Sequence, residues 1–108
     1  MSISGWIGVD LDGTLAHYEG WKGAEHIGEP VAPMLERVKA WIAQGVRVKI
    51  FTARCCAPEQ VPPIEAWLEK HGIGGLEITN VKDYGMVELW DDRCVRVKAN
   101  TGMPCCTG

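Results

Sequence analysis

The chain has 108 residues, of which 46% are hydrophobic and 23% charged, and its formal net charge is −3. That length suits one domain with one core, and the composition is that of a soluble globular domain. The slight acidity and the lack of a dense Lys/Arg block argue against stable nucleic-acid binding, while leaving a nucleotide admissible as substrate. No apolar run approaches the ~20 residues of a membrane span. The N-terminal MSISGWIGVD has no basic start ahead of a long apolar run, so no signal peptide is expected and the compartment expected is cytoplasmic. The five cysteines, Cys55, Cys56, Cys94, Cys105 and Cys106, are odd in number and lack Cys-x-x-Cys spacing. They read as reduced, unliganded thiols rather than a disulfide framework or a zinc site.

The first predicted strand is the short apolar run at residues 6–9, WIGV. Residues 17–33 are rich in Gly and aromatics and show no helical period, so they read as a loop or small hairpin. Met34, Leu35, Val38, Trp41 and Ile42 then recur at helical spacing, with Glu36, Arg37, Lys39 and Gln44 on the other face. Pro33 suits the first turn of that helix and Gly45 its stop. Residues 46–51 alternate as a second strand, and residues 52–60 form a polar loop. Ile64, Trp67, Leu68 and His71 mark a second helix, opened by Pro62-Pro63 and closed by Gly72. Residues 76–79 predict a third strand and residues 86–90 a fourth. The alternation over residues 94–98 predicts a fifth strand at a sheet edge. One domain over residues 1–99 and a tail at 100–108 follow. Strands alternating with helices predict an α/β, single-domain, Rossmann-like three-layer sandwich with a mostly parallel sheet of about five strands.

In such sheets ligands bind beyond the carboxyl ends of the strands. Asp10 and Asp12 follow the first strand, Thr52 and Arg54 the second, and Asp91 and Asp92 the fourth, while Lys82 lies past the third. Each predicted strand end therefore delivers a polar or charged group to one edge. Four carboxylates in one crevice repel unless a cation sits among them. A hard divalent ion such as Mg²⁺ takes a few carboxylates, waters and a substrate phosphate. Lys82 and Arg54 can pair with the remaining phosphate oxygens. The Thr52 hydroxyl can add a hydrogen bond, and Gly13 lets the backbone approach an anion with its N–H. Together these groups describe a site for phosphoryl transfer.

The residues Asp10-Leu11-Asp12-Gly13-Thr14 resemble the first motif, DxDGT, of the haloacid dehalogenase-like superfamily. Thr52 at the end of a strand resembles its second motif, Lys82 its third, and Asp91-Asp92 its fourth. The resemblance spans residues 5–98 and implies a phosphatase. It implies that Asp10 attacks phosphorus and becomes an aspartyl-phosphate, and that Asp12 serves as acid and then base. It further implies that Thr52 and Lys82 hold phosphoryl oxygens. Asp10, Asp91 and Asp92, with the Asp12 backbone carbonyl, would hold Mg²⁺. The family's cap domains insert after the first motif or between the second and third. Neither gap is long enough here, so a capless member is implied, with at most a flap over residues 17–27.

An open site suits bulky phosphates, and Tyr18, Trp21 and His26 could line its mouth and stack a base. The expected partner is thus a small-molecule or nucleotide phosphate ester. A second subunit acting as lid would make the protein a homo-oligomer. The link over residues 80–86 is short for a parallel crossover, which usually takes a dozen or more residues. It has no room for a helix, although the resemblance implies a fourth strand on the far side of the first, three inter-strand gaps or about 14 Å from the third, which about seven extended residues can span. Two rival readings stand beside the phosphatase. One is a receiver-like signalling domain that keeps its phosphoryl group, against which the acid at Asp12 counts. The other is a catalytically silent binding module.

Overall fold

A computed structural model describes residues 5–105 of the chain. The elements are β1 (Trp6–Val9), α1 (Ala32–Ala43), β2 (Arg47–Phe51), α2 (Val61–Lys70), β3 (Glu77–Thr79) and β4 (Met86–Trp90). Two short 3₁₀ turns, Ala53–Cys56 and Pro58–Gln60, lie between β2 and α2. The four strands pair in parallel in the order β3-β2-β1-β4. No described helix is long and apolar enough to cross a membrane.

Proline and glycine set the helix boundaries. Pro33 occupies the first turn of α1, where its missing N–H costs nothing. Gly45, with φ +80, takes the left-handed turn that returns the chain, and the Val46 N–H donates to the Trp41 carbonyl. Gly72 (φ +82) closes α2 in the same way, and Ile73, 2% exposed, tucks back onto the core. Ile7, Val9, Val48 and Ile50 project from one face of the sheet and pack against Met34 and Val38 of α1 and Ile64, Trp67 and Leu68 of α2. Burying each of these side chains contributes about 1.5–3 kcal/mol. Leu11 and Leu15, both fully buried, extend this core under the loop that follows β1.

The two helices share one face because β1→β2 and β2→β3 step in the same direction, and right-handed crossovers then place both helices on the same side. The expected three layers are therefore two. The opposite face carries Trp6, Lys49 and Phe51. It is covered by the β3–β4 link, residues 80–85, rather than by a helix. Trp6 Nε1 donates to Asp83 Oδ1 at 2.9 Å, and the Trp6 N–H to the Gly85 carbonyl at 2.7 Å. Lys49 Nζ lies 4.4 Å from the Trp6 ring centre, between Glu77 at 3.5 Å and Asp83 at 3.9 Å. That diagonal path is how so short a link joins the two outer strands.

The fifth strand expected at residues 94–98 does not form. Val95 and Val97 are 72% and 52% exposed, so their alternation has no face to bury against. The segment instead meets the following residues: the Lys98 N–H donates to the Met103 carbonyl, the Cys105 N–H to the Arg96 carbonyl, and Val97 bridges Pro104. The boundary expected at 99/100 thus falls inside a local turn. Residues 106–108 of the tail, Cys106 included, lie outside the described residues.

Candidate active site

Register carries the acids to one edge. β1 pairs Val9 with Ile50 on one side and with Trp90 on the other, so the residues just beyond these strands lie side by side. The Asp10 N–H continues the ladder to the Trp90 carbonyl at 2.9 Å, and the Thr52 N–H to the Thr79 carbonyl at 2.9 Å. Asp10, Asp12, Thr52, Arg54, Asp91 and Asp92 all line one cleft of about 780 Å³, with Tyr18 and Trp21 at its mouth. Asp10, Asp91 and Asp92 each offer a carboxylate oxygen within 4.8 Å of the others'.

Charges this close repel by on the order of 3 kcal/mol per pair at the dielectric of a protein surface. Burial, then the Asp91 charge, then the hydrogen bond and charge of Asp92, push Asp10 from 3.8 up to about 7, against a smaller lowering by the Leu11 N–H. Burial followed by the same three carboxylates also raises the Cys94 thiol. The donors are hard oxygens, partly solvated, and crowded enough to hold back ionisation. That is the donor chemistry a small divalent cation relieves, and the triad could hold one.

Asp12 stands apart from the triad. Its carboxylate accepts from Arg54 Nε at 2.7 Å and from Arg54 Nη2 at 2.9 Å. Only its backbone carbonyl is left to join a metal set. The Thr52 side chain, 2% exposed, accepts from the Arg54 N–H at 3.1 Å and keeps its own proton for an anion.

Three expected phosphate contacts are placed differently. The Gly13 N–H donates to the Ala16 carbonyl at 2.8 Å and so closes the turn after β1 instead of facing an anion. Lys82 rides on the link across the far face of the sheet; it is exposed and does not line the cleft. Arg54 is 6% exposed, and its guanidinium is directed to Asp12 and to the Ala24 and His26 carbonyls. Gly13 is nonetheless demanded by geometry: φ is +89, and a Cβ would stand 2.5 Å from Asp92 Oδ2. Gly13→Ala is accordingly expected to displace Asp92 from the triad and to cost about 1–2 kcal/mol in left-handed backbone strain. A divalent-cation titration and urea unfolding measure the two effects.

Four further residues belong to the site without having been assigned a role from the sequence, although Thr14 ends the Asp10–Thr14 motif. Thr14 ties the first loop to the last: its Oγ1 accepts from the Asp92 N–H at 3.0 Å and lies 3.3 Å from Asp92 Oδ1. Arg93 and Asn80 line the cleft, as does Gln60. Gln60 Oε1 is the one buried side-chain oxygen or nitrogen without a partner among the described residues. A cation directly after an acidic pair was the one available hint for Arg93. No protein-family model, curated protein or solved structure matches the chain.

Proposed function

We propose that the protein is a Mg²⁺-dependent phosphohydrolase of the haloacid dehalogenase-like type, cleaving phosphomonoesters through an aspartyl-phosphate on Asp10. The observation that carries this reading is the meeting of Asp10, Asp91 and Asp92 at the carboxyl edge of the sheet, with Asp12 and Thr52 in the same cleft. An Asp10 oxygen attacks phosphorus, the ester P–O bond breaks, and the departing oxygen takes a proton from the Asp12 carboxyl. Asp12, now a carboxylate, accepts a proton from a water that attacks phosphorus. The Asp10–phosphorus bond breaks, releasing inorganic phosphate and restoring the Asp10 carboxylate. The Thr52 hydroxyl donates to a phosphoryl oxygen, and Arg93 takes the part assigned to Lys82 in balancing phosphoryl charge. Mg²⁺ bound by Asp10, Asp91 and Asp92 supplies charge neutralisation.

Among the described residues no cap closes the cleft, and Tyr18 and Trp21 are 47% and 56% exposed at its mouth. These rings can stack on a base, which favours a nucleotide or a nucleic-acid end over a small sugar phosphate. The test is p-nitrophenyl phosphate with Mg²⁺, followed by a panel of nucleoside monophosphates and 5′- or 3′-phosphorylated oligonucleotides. Sustained, Mg²⁺-dependent turnover is expected. One stoichiometric phosphorylation without turnover would favour a receiver-like domain, and tight binding of a partner with no turnover a silent module.

A further inference from the structure

We infer that Arg54 is a positioning residue that latches the flap over the cleft to the acid Asp12, so that a single side chain both holds the flap down and aims the proton donor. The inference rests on the phosphohydrolase reading of the site. Arg54 sits in the 3₁₀ turn capped by Thr52 and is 6% exposed. Its fork grips Asp12 through Nε and Nη2. The rest of the guanidinium reads the flap: Nη1 donates to the Ala24 carbonyl at 3.2 Å and Nη2 to the His26 carbonyl at 3.0 Å. The Trp21 ring lies over it, 4.9 Å from Cζ.

Ile27 packs partly buried against the core, and among the described residues the hydrogen bonds that tie the flap to the fold without Arg54 lie at its base. There Ala16 bridges Pro30, the His17 N–H donates to the Glu29 carbonyl, and Trp67 Nε1 donates to the Gly28 carbonyl. Between residues 17 and 26 the hydrogen bonds that join the flap to the site, among the described residues, are those of Arg54. A planar, five-donor group can serve a carboxylate and two carbonyls at once, which a lysine cannot. The flap's position and the orientation of the Asp12 carboxylate are therefore one structural variable.

The test is Arg54→Gln beside Arg54→Lys, each assayed on p-nitrophenyl phosphate and on an alkyl phosphate. The value compared is kcat/KM, which reports the steps up to enzyme phosphorylation. Nitrophenolate leaves without a proton, whereas an alkoxide needs one. In Arg54→Gln the alkyl ester is expected to lose about 100-fold and the aryl ester less than about 5-fold. Arg54→Lys, keeping charge but not the fork, is expected to fall between. The ratio of the two esters within one preparation is independent of the folded fraction.

Trypsin reports the other half of the latch. Lys22 lies in the flap and is exposed, and cleavage after it is expected to be several-fold faster in Arg54→Gln than in the parent protein. Equal losses on both esters, or an unchanged cleavage rate at Lys22, would overturn the assignment. Turnover of neither ester by the parent protein would instead remove the phosphohydrolase reading, and the coupling with it.

Discussion

Asp10→Asn is expected to abolish turnover, by about four orders of magnitude or more, while making the metal-free protein more stable at pH 8. The two effects share one cause. In the fold, burial and the Asp91 and Asp92 carboxylates hold the Asp10 carboxyl at about 7 against an ordinary 3.8. Between those two values the folded chain keeps a proton that the unfolded chain has released. Stability therefore falls as pH rises through that window, and the loss is complete above pH 7. Asparagine has the same shape and nothing to ionise, so the variant escapes the loss. After discounting for solvent screening at a half-buried group, the gain is about 1–2 kcal/mol, or about 5–10 °C in Tm for a chain of this size. The gap between variant and parent should widen from pH 5 to pH 8 in thermal melts with EDTA. A variant less stable than the parent at pH 8 would mean that the three carboxylates are not crowded as described.

Mg²⁺ is expected to reverse that destabilisation and to do so more strongly at higher pH. Binding the triad requires Asp10 as a carboxylate, so a proton leaves as the ion enters. Mg²⁺ affinity should consequently weaken by up to about tenfold per pH unit below 7, and flatten above it. Calorimetry in two buffers of different ionisation enthalpy would count the released proton directly. Stripping the ion should reduce turnover by at least about 1000-fold, and Asp91→Asn should lower affinity by at least about tenfold while leaving the sheet intact. An affinity unchanged between about pH 5.5 and pH 7.5 would separate Asp10 from the ion site.

The parts of the fold legible in the sequence are those written in short-range pattern. The apolar period of α1 and α2, the alternation over residues 46–51, and the proline and glycine at the helix ends each depend on neighbours within a turn or two. The structure places these elements within a residue or two of the expected bounds. The convergence of Asp10, Asp91 and Asp92 was legible for a related reason: parallel strands must deliver their carboxyl ends to one edge.

What was not legible depends on the path of the chain through space. Nothing local says that residues 80–85 cross the far face of the sheet, yet that path removes Lys82 from the cleft and buries Trp6 without a helix. Nothing near Arg54 in sequence says that its partner is Asp12, forty-two positions away. The alternation at 94–98 is of strand type, but a pattern predicts a strand only where a face exists to receive it. The Gly13 N–H was expected to face an anion because glycine permits close approach; the turn after β1 uses that N–H itself.

The most direct measurement is acid quenching of the protein during steady-state hydrolysis of p-nitrophenyl phosphate with Mg²⁺, followed by peptide mass spectrometry. One hydroxylamine-labile phosphoryl group is expected on the peptide containing Asp10, and none in Asp10→Asn. Full turnover with that peptide never phosphorylated, or phosphate found on another residue, would contradict the assignment of Asp10 as the nucleophile.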